Sequence, residues 1–492
     1  MEALMSQTID VLGELLEGLP GDQAAIPVSG ITIDSRRLRP GDVFIAVAGH
    51  DSDGRDFIDA AVAKGAAAIL AEAPCDASRW RLPVIVVDKL SEHVSEIAGR
   101  FYRHPSRRLN AIGVTGTNGK SSVTQYIAQM LESMGQPCGV IGTLGAGRVN
   151  QLSGAVNTTP DPISIQSILS QWRDAGAQWA AMEVSSHGLS QHRVAALQFS
   201  TAVFTNLTQD HLDYHGDMEA YGAAKARLFS LPGLRHAVLN ADDDFSAELK
   251  KIIPSSVAVL QFGLGVDADI RASEVEYSAA GIAALVTTPW GKLRLDTALC
   301  GTVNLKNVLA AIAVLGLEGF SIEQIAQALS GLEPVPGRLE KLPSTSGVQV
   351  VVDYAHTPDA LEQVLVSLRP HCDKRLWCIF GCGGDRDKTK RPVMAKIAER
   401  LADVLIITSD NPRNEKPAEI AADITSGLNQ PAYLLELDRQ RAIEHAVNSA
   451  LVGDLILIAG KGHEDYQESQ GKRLPFSDVQ CARLALAKRA SS

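Results

Sequence analysis

The stretch AIGVTGTNGKSS, residues 111–122, runs from an apolar segment into a glycine-rich turn that ends Gly119-Lys120-Ser121-Ser122. Backbone N–H groups in such a turn can cradle phosphate, and the start of the following helix adds a favourable dipole. A lysine at the position of Lys120 supplies a point charge to β/γ-phosphates, and a hydroxyl at Ser121 can ligate Mg²⁺. The usual phosphate loop carries Gly five residues before Gly119, whereas position 114 is Val and the glycines lie at 113, 116 and 119. The pattern is therefore a variant nucleotide-binding loop. Its plain alternative is a tight strand-to-helix turn.

Two further clusters carry groups suited to a metal site. AAMEVSSHGL (180–189) places Glu183 and Ser185 at the end of an apolar run, and VFTNLTQDHLDYHG (203–216) is dense in Asp and His after another. A Glu after one strand and a His after the next could complete a Mg²⁺ site with Ser121. His211 and His215 are four apart without the adjacent Glu of a zinc protease motif. A hydrogen-bonded structural histidine is the alternative for each.

A second polar edge is expected near the C-terminus. Four apolar runs each end in a polar or Gly-rich loop: VVVDYAHTPD, LWCIFGCGGDRDK, VLIITSDNPR and LILIAGKGHED. In open parallel sheets ligands bind outside the carboxyl ends of strands, so these loops should share one edge. Taken alone, SDNPRNEKP (409–417) reads as a solvated turn stiffened by Pro412 and Pro417. Its place among the four loops makes ligand contact the competing reading.

The elements that position these groups follow from pattern. Strand-like apolar runs alternate with Ala/Leu-rich helical stretches, which predicts an α/β protein with mostly parallel sheets. At 492 residues the chain is too long for one core. Three domains are expected: 1–104, a smaller α/β unit; 105–334, the phosphate-loop unit; and 335–492, a Rossmann-like unit. EPVPGR (333–338) has two prolines suited to a hinge between the last two. A net charge of −11 argues against nucleic acid as the main partner. The seven cysteines are scattered, which fits reduced thiols and a cytoplasmic protein. The acidic, periodic N-terminus lacks a signal peptide's basic start, and no apolar run reaches the ~20 residues that span a bilayer.

VTGTNGKSS, MEVSSHGL, TNLTQDHLDYHG, YGAAKARLF, GTVNLKNVLAA, PGRLE, VVDYAHTPDAL, FGCGGDRDK, DNPR and AGKGHEDY together resemble the Mur ligases, the ATP-dependent amide-bond enzymes of peptidoglycan precursor synthesis. MEVSSHGL, DYAHTPDAL and DNPR are the narrow motifs, and they are similar to the branch that adds meso-diaminopimelate to a UDP-N-acetylmuramoyl dipeptide. The resemblance implies a UDP-binding, an ATPase and a Rossmann-like domain, two Mg²⁺ ions, ATP as co-substrate and a monomer. It implies an ATP site of Thr115, Gly116, Thr117, Asn118, Gly119, Lys120, Ser121, Ser122, Asn304, Asn307, Arg338 and Asp353. It gives the metal to Ser121, Glu183, His211 and Lys225, the last as an N6-carboxylysine, and brings His356 to the phosphates on domain closure. For the UDP-dipeptide it implies Ile33, Ser35, His50, Asp51, Ser52, Asn157, Thr158, Thr159, Ser185, Gln191 and Arg193. For the incoming amino acid it implies Arg386, Asp410, Asn411, Pro412, Arg413, Gly460 and Glu464. Without it, Lys225 reads as a solvated helix lysine.

Two alternatives stay open on sequence. One is a related ligase, either the same reaction with L-lysine or a folylpolyglutamate-type enzyme. The other is a switch or motor that couples hydrolysis to a partner, although that class has no need of a second polar edge.

Overall fold

The computed structural model describes residues 11–49, 52–154, 157–430 and 433–490, so the expected ligands His50 and Asp51 lie outside the described residues. Among the described residues three large sheets follow one another along the chain, with a two-stranded hairpin after the last. The first is four-stranded and parallel: Gly30–Thr32, Asp42–Ala46, Ala68–Glu72 and Val84–Val87, in that order. The parallel register puts the loops after Thr32 and Ala46 on one edge.

The second sheet has eleven strands. At its centre Asn110–Thr115 lies between Phe199–Phe204 and Trp179–Glu183, with Cys138–Gly142 beyond, all parallel. These strands are apolar on both faces because helices cover both. Lys120–Ser133 and Thr302–Leu317 pack on one face, and the apolar residues of Pro162–Asp174 on the other. Thr302–Leu317 is buried nearly all round, as the unbroken apolar run from Val308 to Leu317 requires. Pro162–Asp174 starts cleanly: the Asp161 carboxylate accepts from the N–H groups of Ile163 and Ser164, and Pro162 takes the first position, where no donor is needed. Pro162 of NTTPDP thus helps to begin a helix beside the candidate substrate loop.

The third sheet runs Glu340–Leu342, Gln349–Asp353, Leu455–Ala459, Leu376–Phe380, Val404–Ile407, Leu434–Leu435. The four apolar runs expected from sequence are its mutually parallel strands, so their loops do share one edge. A hairpin, Tyr466–Ser469 with Lys472–Pro475, folds against that edge.

Side chains tie the second and third units together. His371 accepts the Gly301 N–H through Nε2 (2.8 Å) and donates from Nδ1 to the Ser278 carbonyl (2.8 Å). The segment 333–338 is held at both ends. Glu333 exchanges main-chain hydrogen bonds with the Gln129 amide, and Gly337 sits so close to Gly462 and His463 that a Cβ would lie 2.1 Å from the His463 nitrogen. Among the described residues no helix is long and apolar enough to cross a membrane.

Candidate active site

The phosphate loop leaves the sheet at Thr115 and enters a helix at Lys120. Gly116 and Gly119 have φ of +147° and +88°; a Cβ on the first would lie 1.9 Å from Thr205 Oγ1, and on the second 2.7 Å from Asn307 Oδ1. Only glycine fits either place. The loop's shape is imposed by its neighbour after Phe204. The Asn206 carbonyl accepts the Thr117 N–H (2.8 Å), its Oδ1 accepts the Asn118 N–H (2.8 Å), and its Nδ2 donates to the Asn118 carbonyl (3.1 Å). Tyr221 adds a contact to the Thr117 hydroxyl at 3.2 Å.

Two lysines converge on this loop. Lys120 Nζ donates to the carbonyls of Gly116 (2.9 Å) and Thr117 (2.8 Å), and Lys225 Nζ donates to the same Gly116 carbonyl (2.8 Å). Lys225 is only 1 % exposed, so it is not the solvated helix lysine its sequence alone suggested. Burial lowers the pKa of both amines, and the Lys120 charge pushes Lys225 further, well below the ordinary lysine value. The loop also faces donors without a protein acceptor: Asn307 Nδ2 and Arg338 Nε are buried and unpartnered among the described residues. Arg338 Nη2 reaches the Ser121 hydroxyl at 3.3 Å, and its guanidinium lies over the Tyr354 ring. A cradle that excludes any Cβ, beside orphaned donors and two cations, fits a polyphosphate.

Two of the expected nucleotide residues already hold protein groups. Asn304 spends both ends of its amide inside the protein, accepting from Tyr126 and donating to the Cys300 carbonyl. Asp353 accepts the N–H groups of Leu339 and Ala355 at 2.7 Å each, while burial raises its pKa. Both therefore shape the site through backbone they hold. Thr115 and Ser122 are buried at the ends of the loop.

Glu183 is held by Thr143, whose N–H and hydroxyl meet Oε1 (2.9 Å) and Oε2 (3.2 Å). Gly142 makes the room, since a Cβ there would lie 2.1 Å from Glu183 Oε1. The network continues through expected substrate residues. Thr158 meets the Thr143 hydroxyl (3.0 Å), and Thr159 bridges the Glu183 carbonyl and the Ser185 N–H (2.9 Å each). Arg193 donates to the Thr159 carbonyl and to Gln191 Oε1, and Gln191 donates to Tyr214. Asn157 stands exposed at the mouth of this network. His211 begins a short helix with φ of +52°, and its ring packs on His187. Burial and the neighbouring histidines hold His187 down to about 4. The Ser121 hydroxyl and the Glu183 carboxylate are oxygen groups that suit Mg²⁺ in type, whereas the His211 imidazole is a softer group than that ion prefers. Among the described residues no group of three or more His, Cys, Asp or Glu could hold a metal by itself.

The third unit touches the loop directly. The Asp359 carboxylate accepts from the Thr208 hydroxyl (2.7 Å) and the Asn118 amide (3.4 Å). His356, three residues earlier, is exposed; its Nδ1 donates to the Tyr354 carbonyl, and its own carbonyl accepts from Lys390.

On the C-terminal edge the turn 409–417 is only half solvated: Asp410, Asn411 and Pro412 are buried, whereas Asn414, Lys416 and Pro417 are exposed. Arg413 has φ of +49°, donates from Nη1 to the Gly384 carbonyl (2.7 Å), and lies 3.7 Å from Glu468. A Cβ on Gly383 would lie 2.8 Å from that Nη1 and 3.8 Å from Arg386 Cγ, so the two arginines flank one glycine. Gly460 is similarly close to Asp410, at 2.6 Å from a built Cβ to Oδ2. Asn411 Nδ2 donates to Glu464 Oε2 at 2.8 Å. The edge thus gathers Arg386, Asp410 to Arg413, Gly460 and Glu464, as expected. Ile33, Ser35 and Ser52 lie on the edge of the first sheet, and no hydrogen bond joins them to the central site among the described residues.

Sequence reasoning missed Thr143, Asn206, Tyr221, Asp359 and the buried Lys461. Lys461 and Asp359 sit inside motifs already singled out, but Thr143 has no motif, and only its contact with Glu183 reveals it.

Comparisons with known proteins agree along the whole chain. Family models match as Mur ligase family, catalytic domain (residues 27–102), Mur ligase middle domain (114–315), and Mur ligase, glutamate ligase domain (337–462). The UDP-N-acetylmuramoyl-L-alanyl-D-glutamate–2,6-diaminopimelate ligase of Pseudomonas aeruginosa is 50% identical over 477 residues, covering 95% of this chain and 97% of that protein. A solved structure of a ligase of that name superposes with a TM-score of 0.74 at 35% identity, over 99% of this chain and 100% of its own. The MurF ligase from Thermotoga maritima in complex with ADP, 18% identical, shares the fold with a TM-score of 0.65 over 94% of this chain and 97% of its own. The sheet order, the glycine cradle and these matches lead to one assignment: the chain belongs to the Mur ligase family.

Proposed function

We propose that the chain is an ATP-dependent ligase that joins meso-diaminopimelate to the D-glutamate of UDP-N-acetylmuramoyl-L-Ala-D-Glu, in cytoplasmic peptidoglycan precursor synthesis. Residues 1–104 bind the UDP moiety, 105–334 bind ATP, and 335–492 bind the amino acid; the protein acts as a monomer. The γ-phosphoryl group passes from ATP to the free carboxylate, breaking its bond to the β-phosphate oxygen. The amine nitrogen then attacks the acyl carbon, phosphate departs with the bonding electrons, and the nitrogen loses a proton to leave an amide. Catalysis of this kind is mostly positioning and charge neutralisation. Lys120, Asn307 and Arg338 supply donors to the phosphates, and His356 approaches them as the third unit closes.

Ser121, Glu183, His211 and a carbamate on Lys225 are the groups that would hold two Mg²⁺ ions, which neutralise phosphate charge when bound. The buried Lys225 amine, driven toward its neutral form by desolvation and by Lys120, supports the carbamate, because CO₂ reacts only with an uncharged amine. A lysine carbamate resonance in protein equilibrated with ¹³C-bicarbonate, lost in Lys225→Ala, would test it.

The observation that carries the amino-acid assignment is the buried turn Asp410–Arg413, with its guanidinium on a rigid backbone beside Arg386. Meso-diaminopimelate has a far carboxylate that L-lysine lacks, and a planar fork suits it. Purified protein with ATP, the UDP-dipeptide and each amino acid decides. Phosphate release should require all three substrates and strongly favour meso-diaminopimelate. Equal release with L-lysine sinks the specificity, and ATP turnover without any amino acid points to the switch or motor class.

A further inference from the structure

Three cations in the third unit are wholly buried, and each braces the loop edge. Arg391 pairs with Glu415 and Asp423 and donates to the Gly383 carbonyl, linking the loops after Phe380 and Ile407. Arg439 pairs with the buried Asp478 and donates to the carbonyls of Ser409 and Ala459, linking the strand ends Ile407 and Ala459. The third, Lys461, differs in what it touches. Its Nζ lies 3.0 Å from Asn411 Oδ1 and 2.9 Å from Glu464 Oε2, both of them proposed ligands of the amino acid.

The chemistry of those contacts is directional. Asn411 Oδ1 accepts from Lys461 and also from the Glu468 N–H (2.9 Å). With that oxygen so placed, Nδ2 must face Glu464, where it donates to Oε2 at 2.8 Å. A flipped amide would set its NH₂ against an ammonium and a backbone N–H at once. Both contacts to Glu464 fall on Oε2, so Oε1 is left for another donor. An ammonium with no exposed surface is costly to hold unless it is paired and hydrogen-bonded. Here its partners are the recognition groups themselves.

We infer that Lys461 is a positioning residue for amino-acid selection: its ammonium fixes the Asn411 amide and engages Glu464 Oε2, keeping Oε1 aimed at an ammonium of the diamino acid. The inference rests on the amino-acid site proposed above. Arg413 then reads the carboxylate and Glu464 the amine, and the distance between them is set by a lysine that touches neither end of the ligand.

The test is steady-state kinetics of the full chain carrying Lys461→Met. The KM for meso-diaminopimelate should rise by on the order of tenfold or more, as when a supporting contact behind a binding group is removed. The KM values for ATP and the UDP-dipeptide should stay within about twofold. Unchanged kinetics overturn the inference. So does a parallel loss in all three KM values together with thermal stability, which is what a purely structural lysine would give. Should the Met variant not fold, Lys461→Gln keeps a donor to Asn411 without the charge. It should shift the same KM by less, and wild-type values there overturn the inference as well. Wild-type protein that ignores meso-diaminopimelate overturns the functional reading, whereas active wild type with unchanged variants overturns this inference alone.

Discussion

The two polar edges, central and C-terminal, are braced by opposite means. Around the phosphate loop the braces on the backbone are neutral: Asn206, Thr205, Thr117 and Tyr221 hold it, Asn240 donates to the Thr205 carbonyl, and the carboxylate contact described above, from Asp359, falls on side chains. The two lysines there have only carbonyls as partners, with no carboxylate in ion-pair range among the described residues. At the C-terminal edge every buried cation has a carboxylate. An edge whose cations are unsatisfied waits for an anionic ligand to complete it. An edge whose cations are satisfied spends them on shape and leaves recognition to the groups they hold.

The largest expected effect tests the unsatisfied side. Lys120→Ala should cut kcat/KM by about 10³-fold, read as phosphate release, since a charge aimed at the transferring phosphoryl group is lost. Next comes the satisfied side. Asp478→Asn strands the Arg439 charge in the core and should cost ~3–5 kcal/mol in urea denaturation, as broken buried pairs do. Arg413→Lys keeps the charge but loses the fork; a rise of about 10- to 100-fold in the KM for meso-diaminopimelate, with ATP unaffected, would separate recognition from bracing. Acid should act more mildly. Burial pushes the Asp454 carboxyl up, but Arg375 and the N–H groups of Leu451 and Trp377 outweigh it and hold it at about 2. Its folded value lies below its unfolded one, so its stabilisation is present above the ordinary carboxylate range, about 3.9, and is lost as pH falls toward 2. Asp454→Asn should flatten that limb of the stability curve. The smallest effect belongs to the exposed pair Lys416–Glu419, where Lys416→Ala should change stability by less than about 1 kcal/mol.

Much of this was legible in the sequence because strand periodicity and loop chemistry are local. The glycines at 116 and 119 announced a cradle, and four apolar runs ending in polar loops placed the second edge. The burial of Lys225 was not legible, because it depends on packing against Gly116, more than a hundred residues away. The same holds for Thr143, a lone hydroxyl whose importance comes from Glu183 across the sheet. Asn304 carried the right motif, yet its amide is turned inward, since sequence shows which residue stands at a position but not which neighbours use its hydrogen bonds.

The His371 bridge between the second and third units has one more consequence. Its two nitrogens have different duties: Nδ1 gives a proton to Ser278, and Nε2 offers a lone pair to the Gly301 amide at the threshold of Thr302–Leu317. Only one tautomer can do this, and the imidazolium cannot, because it has no lone pair left. Burial lowers its pKa, so the bridge is sound near neutrality and weakens as pH falls below the ordinary histidine value of about 6.5. Mild acid should therefore slacken the seam between the two units before it reaches either core, and a loss of protection at the Gly301 amide hydrogen, measured against its intrinsic exchange rate at each pH, would be its first sign.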